Sequence, residues 1–127
     1  MGFYRIFAEA DGESHIEELD VERQPEWSTI QNIKEVKFQH FPEPRNMNFH
    51  PLPDRRLIIH LSGEVEIGMS DGTKQIFRAG DARLMEDVTG KGHTHRDLTP
   101  TTECRSYILE RLGAQSLFAT SAGIAGT

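Results

Sequence analysis

The chain of 127 residues has a formal charge of −6, with 36% hydrophobic and 27% charged residues. That length fits one domain, able to bury roughly two thirds of its unfolded surface, and the recurring short apolar runs exclude a disordered composition. The fourteen Lys and Arg residues are scattered, which argues against nucleic acid as a partner, and no apolar run approaches the roughly 20 residues that cross a bilayer.

Met1 to Arg5 has no basic-then-apolar leader pattern, and the single cysteine, Cys104, cannot form an internal disulfide. A cytoplasmic protein is the expectation. The N-terminal third offers two strand-like pieces, His15–Leu19 and Ile33–Phe38, separated by a polar stretch with Pro25 and Trp27. Both read as peripheral strands. Pro42, Pro44, Pro51 and Pro53 follow, and paired prolines forbid helix and limit ladder hydrogen bonds. That stretch reads as a loop or an irregular edge.

From Arg56 the pattern sharpens. Leu57–Leu61 and Glu64–Met69 are strand-like runs joined through Ser62-Gly63, and Asp71-Gly72 supplies the signal of a tight hairpin before Lys74–Arg78. Ala79-Gly80-Asp81 is a second turn, Ala82–Met85 a short strand, and Val88–Gly92 a flexible loop with glycines at 90 and 92. Gly92–Asp97 and Cys104–Leu109 complete the series. Strands every eight to twelve residues, with turns between them and no convincing helix, predict an all-β sandwich or closed barrel. Residues 1–113 form a single domain in this reading. Residues 114–127, rich in Ala, Ser and Gly, form a tail whose Leu117-Phe118 pair docks on the barrel or a partner subunit.

The run Glu86-Asp87-Val88-Thr89-Gly90-Lys91-Gly92-His93, with Leu61–Glu66 and Ala79-Gly80-Asp81 before it, resembles the small single-domain bacterial cupins. The resemblance spans about a third of the chain. It implies a cupin-type antiparallel β-barrel, a jelly roll or double-stranded β-helix, with a small-molecule pocket inside, and a homodimer paired through its N-terminal strands. The apolar pieces before Phe41 need such a cover.

The resemblance also implies where a metal would sit. Two histidine positions fall on His50 and Leu52, the carboxylate position on Arg56, and the second motif's histidine on His93, with Asp97 at its final position. Two of four ligands remain, and a permanent cation replaces an anion. His95, two residues from His93 and on the same strand face, is the substitute that would make His50, His93 and His95 a ligand set. The reading therefore takes no cofactor, with a divalent transition metal as the alternative.

Periodicity places Arg56, Ile58 and His60 on one face of a strand, and His93, His95 and Asp97 on one face of another. With Arg56 inward, it clamps an anion; a register slipped by one makes it a surface cation instead. His93 and His95 are the candidates for proton transfer, and Arg56, His60 and Asp97 the candidates for ligand binding. For His60 and His95 a structural role is the alternative. Glu86 and Asp87 cap the loop turn or reach the pocket rim, but as neighbours on an extended chain they cannot both face the site. His15 and His40 read as surface, Cys104 as a buried small apolar residue, and Trp27, Met47 and Phe49 as either core or lid.

Three functions fit these residues. The first is a metal-independent pocket for an anionic or enolisable small molecule, with isomerase- or cyclase-like proton transfer. The others are a metal-dependent dioxygenase- or decarboxylase-like enzyme, and a non-catalytic dimeric binding or sensing module.

Overall fold

The computed structural model describes residues 2–20, 22–23 and 32–110. Among them are ten strands and no helix: β1 (Phe3–Ala8), β2 (Ser14–Glu18), β3 (Ile33–Phe41), β4 (Asn46–His50), β5 (Arg56–Ser62), β6 (Val65–Gly68), β7 (Lys74–Phe77), β8 (Ala82–Glu86), β9 (His93–Asp97) and β10 (Thr102–Leu109). Trp27 and the tail at 114–127 lie outside the described residues.

The pairing is nested about one hairpin. Antiparallel β6·β7 lies at the centre, and β5·β8, β4·β9 and β3·β10 enclose it in turn. Successive pairs enter alternate sheets, giving a six-stranded sheet ordered β2-β1-β8-β5-β10-β3 and a four-stranded sheet ordered β4-β9-β6-β7. A two-stranded ribbon coiled in this way is a jelly roll, or double-stranded β-helix.

Two details differ from a single antiparallel barrel. The strands form two separate sheets, and β1 joins β8 in parallel, because β1 precedes the ribbon and adds to it from outside. The sequence pattern did not mark β1 as a strand. The proline-flanked stretch does contain a strand, β4, but it lies at a sheet edge with a register shift between Met47 and His50. Its prolines flank the strand, where the missing N–H costs no ladder bond.

The hairpin at Asp71-Gly72 forms as expected. Met69 N–H donates to Thr73 O, Asp71 Oδ1 accepts from Thr73 N–H, and Gly72 takes φ of +95°. Alternation then sorts each strand. Ile6, Ile58, Val65, Ile67, Met69, Phe77, Met85 and Cys104 form the core between the sheets, while Leu19, Leu84 and Leu109 form a second cluster with Phe3, Leu57 and Tyr107. Val36 and Phe38 of β3 are exposed, Phe38 by 71%.

Candidate functional site

A cavity of about 180 Å³ opens between the sheets. Arg56, Ile58 and His60 of β5 reach it from one side, and His93 and His95 of β9 from the other. The register is thus the inward one, and Arg55 on the opposite face is bound to Glu86 at 2.7 Å. Gln39, Arg45, Met47, His50, Leu52, Arg83 and Cys104 also line the cavity.

At one end lies a buried chain of three polar groups. Ser14 Oγ donates to Asp87 Oδ2 at 2.8 Å, and His93 Nδ1 lies 2.5 Å from the same oxygen, with His93 1% and Asp87 0% exposed. With Nδ1 held by a carboxylate, the Nε2 lone pair of His93 is left for chemistry. The His50 ring packs against it, with centroids 4.8 Å apart, and its own Nδ1 bonds Asn48 O at 2.7 Å.

The loop carrying Asp87 to His93 is held by backbone contact as well as by these side chains. Lys91 N–H donates to Gly12 O. A Cβ at Gly90 would stand 2.6 Å from Gly12 O, and one at Gly92 2.0 Å from the His50 carbonyl, both at positive φ. Only glycine permits this approach, and it fixes the position of His93 over β4. The segment expected to be flexible is pinned at both glycines.

At the other end, Arg83 Nε donates to His60 Nε2 at 2.9 Å, and the His60 ring stacks on Phe77. Burial, reinforced by the Arg83 charge, lowers the His60 pKa to about 3. His95 Nε2 bonds Asp97 Oδ1 at 2.7 Å, and burial with the nearby Arg83 and Arg45 charges lowers its pKa to about 4. Both rings are therefore neutral at pH 7. Burial pushes the Asp97 carboxyl up, but hydrogen bonds from Arg45 N and Nε and from His95 outweigh it and hold it below the usual carboxylate range.

Of the residues singled out in the sequence, Arg56, His60, His93 and His95 share the cavity, as does His50. Asp97 does not line it and acts through His95 instead. Arg56 is engaged by Asp54, with Nη2 2.5 Å from Oδ1. Met47 and Phe49 are exposed rather than core, Cys104 is buried, and His15 and His40 bond carboxylates at the surface.

The sequence pattern does not single out Arg83, Ser14 or Arg45, and it leaves Asp87 as either a loop cap or a pocket-rim residue. For Asp87 the signal was present: Glu86 turns to the other face, between Arg5 and Arg55, so its neighbour had to turn inward. For Arg83 it was not, because Arg83 and Asp87 on one face and Glu86 on the other mix charge with apolar residues on both.

No family model and no curated protein matches the sequence. Solved structures similar to it include the dTDP-4-dehydrorhamnose 3,5-epimerase of Bacillus anthracis with TDP and PPi bound, at 17% identity, TM-score 0.46, over 87% of this chain and 71% of that one. A cupin superfamily protein of Desulfitobacterium hafniense is 11% identical, TM-score 0.43, over 67% and 87%, and the Cnp3 cupin domain of Schizosaccharomyces pombe 9% identical, TM-score 0.43, over 76% and 73%. The nested pairing of the strands makes the fold a jelly roll.

The resemblance carried by the sequence leaves His50, His93 and His95 as the candidate ligands of a transition metal. His50, His93 and His95 do not converge as a ligand cluster, and the cluster of that kind among the described residues is Glu9, Asp11 and His15 at the surface. A transition-metal site needs three or four converging donors. His95 directs Nε2 to Asp97, Arg56 stands where the resemblance implies a carboxylate, and buried Arg83 adds a second cation to the wall. The donor set does not fit a metal.

Proposed function

We propose that the cavity binds a small anionic or enolisable molecule without a metal, and that His93 moves a proton at a carbon of that molecule. The observation that carries the reading is the 2.5 Å contact between His93 Nδ1 and Asp87 on the cavity wall. A carboxylate behind an imidazole fixes its tautomer and stabilises the imidazolium that forms. In the forward step His93 Nε2 takes a proton from a carbon beside a carbonyl, and the electron pair moves to the carbonyl oxygen as an enolate. Return of the proton to another position or face completes an isomerisation with no net change of atoms.

Neutral His60 and His95 orient the ligand, and the Arg83 charge on the same wall favours an anion. Solvent deuterium exchange into small 2-oxo acids and β-keto acids, followed by proton NMR, tests the reading. Wild-type exchange at least tenfold above His93→Asn supports it. Saturable binding with no exchange above that variant in any compound sinks the proton-transfer half and leaves a binding role.

A homodimer belongs to the same proposal. Val36 and Phe38 expose apolar surface on β3, an edge strand, and a second copy would cover both surface and edge. Sedimentation at micromolar concentration distinguishes about twice 14.4 kDa from the single chain; the single chain alone counts against it.

A further inference from the structure

Three arginines line the cavity, and two are neutralised. Arg45 pairs with Asp97 at 2.8 Å and Arg56 with Asp54. The third, Arg83, is the most deeply placed, at 4% exposed. Its Nε meets a neutral imidazole and its Nη1 the Met85 sulfur at 3.4 Å, and no carboxylate among the described residues pairs with it. Nη2 has no hydrogen bond to any described residue.

A buried guanidinium without an anion is a costly arrangement. Burial lowers the Arg83 pKa to about 10, so it keeps its proton at neutral pH. The carboxylates of Asp87 and Asp97 act on it only through space. His60, which accepts the Nε–H, cannot cancel the charge.

We propose that Arg83 is the anchor of the cavity's ligand, binding the carboxylate of a small organic monoanion through its free Nη2 edge. This rests on the reading of the cavity as a ligand pocket and names the class of ligand. Ile58, Leu52 and Val65 give the otherwise polar cavity an apolar portion, which suits a ligand that carries an apolar part beside its carboxylate. Size sets a further limit. A cavity of about 150 Å³ accommodates benzene, so 180 Å³ holds a molecule of about six to nine non-hydrogen atoms. Nucleotide sugars are far too large to lie wholly inside it.

The test is titration calorimetry on the full chain at pH 7.5 with benzoate and its neutral isostere benzamide, and with inorganic phosphate. Benzoate is expected to saturate one site, benzamide to bind at least tenfold more weakly, and phosphate to compete poorly because it has no apolar part to set against Leu52, Ile58 and Val65. Arg83→Met is expected to weaken benzoate at least tenfold, Arg83→Lys less, and the surface change Arg78→Met not at all. If Arg83→Met fails to fold, the guanidinium nitrogen resonances of isotopically labelled wild type decide: Arg83 Nε and Nη must shift on adding benzoate and stay unchanged with benzamide.

Equal binding of benzoate and benzamide overturns the proposal, as does binding of phosphate alone or unchanged benzoate affinity in Arg83→Met. Loss on Arg56→Met with Arg83→Met unaffected overturns it too. The deuterium-exchange reading fails separately: benzoate binding through Arg83 without exchange refutes proton transfer and leaves this anchor standing.

Discussion

His93 Nδ1 lies 2.5 Å from Asp87 Oδ2, and both side chains are closed off from solvent. Replacing Asp87 with Asn exchanges an acceptor for a group that can present an N–H to the ring. The other tautomer is then favoured, with the hydrogen on Nε2, where it blocks proton abstraction. Deuterium exchange is expected to fall about 100-fold or more, with an exchanged pattern of imidazole nitrogen shifts. Retained exchange in Asp87→Asn would assign the carboxylate a structural role only.

Stability should fall in mild acid. His60 and His95 have folded pKa values of about 3 and about 4 against 6.5 for a free imidazole, so the unfolded chain binds more protons between those values. Their contribution is complete above pH 6.5 and is lost as pH drops toward 4 for His95 and toward 3 for His60. At pH 5 the loss is about 2 kcal/mol from each. Urea midpoints at pH 7.5, 6 and 5 read it directly, and a flat profile over that range would refute neutral burial of the two rings.

Two glycines with similar φ separate strain from collision. Gly72 has nothing within 4 Å of an added Cβ, whereas at Gly92 the Cβ would sit 2.0 Å from the His50 carbonyl. Gly72→Ala is expected to cost about 1–2 kcal/mol, the left-handed strain alone. Gly92→Ala adds backbone displacement and should cost more than about 3 kcal/mol. Chemical denaturation compares them; similar costs would mean that the loop shifts freely over β4.

Chelation should leave the melting temperature unchanged, since no metal-binding free energy is linked to folding. Metal content measured on protein purified without added metal accompanies it. Stoichiometric transition metal, lost on His93→Ala, would reverse this expectation.

Much of the roll was legible because its determinants are local. Asp71-Gly72, Gly80 and the alternating apolar residues of β5 to β10 each specify a turn or a face within a few residues. β1 and β4 were harder to see, since Phe3–Ala8 includes a charge in its middle and β4 lies between prolines. The inward face of β5 and β9 followed from a period of two, and so did the opposition of Glu86 and Asp87. What strand periodicity does not carry is partnership. That Asp97 would be taken up by Arg45 and that Arg83 would be left without a carboxylate depend on which strands become neighbours across the roll.

The nested pairing also orders the assembly of the chain in time. Closing β6 on β7 spans only residues 69–73, while joining β3 to β10 spans residues 42–101, and loop-closure entropy rises with that separation. The Asp71-Gly72 hairpin should therefore nucleate, with β5·β8, β4·β9 and β3·β10 zipping outward in turn. His50 meets His93 only in the third step, and Gln39 reaches the wall only in the fourth. Substitutions at the outermost pair should then accelerate unfolding more than they slow folding, and a bound ligand should act chiefly as a brake on unfolding.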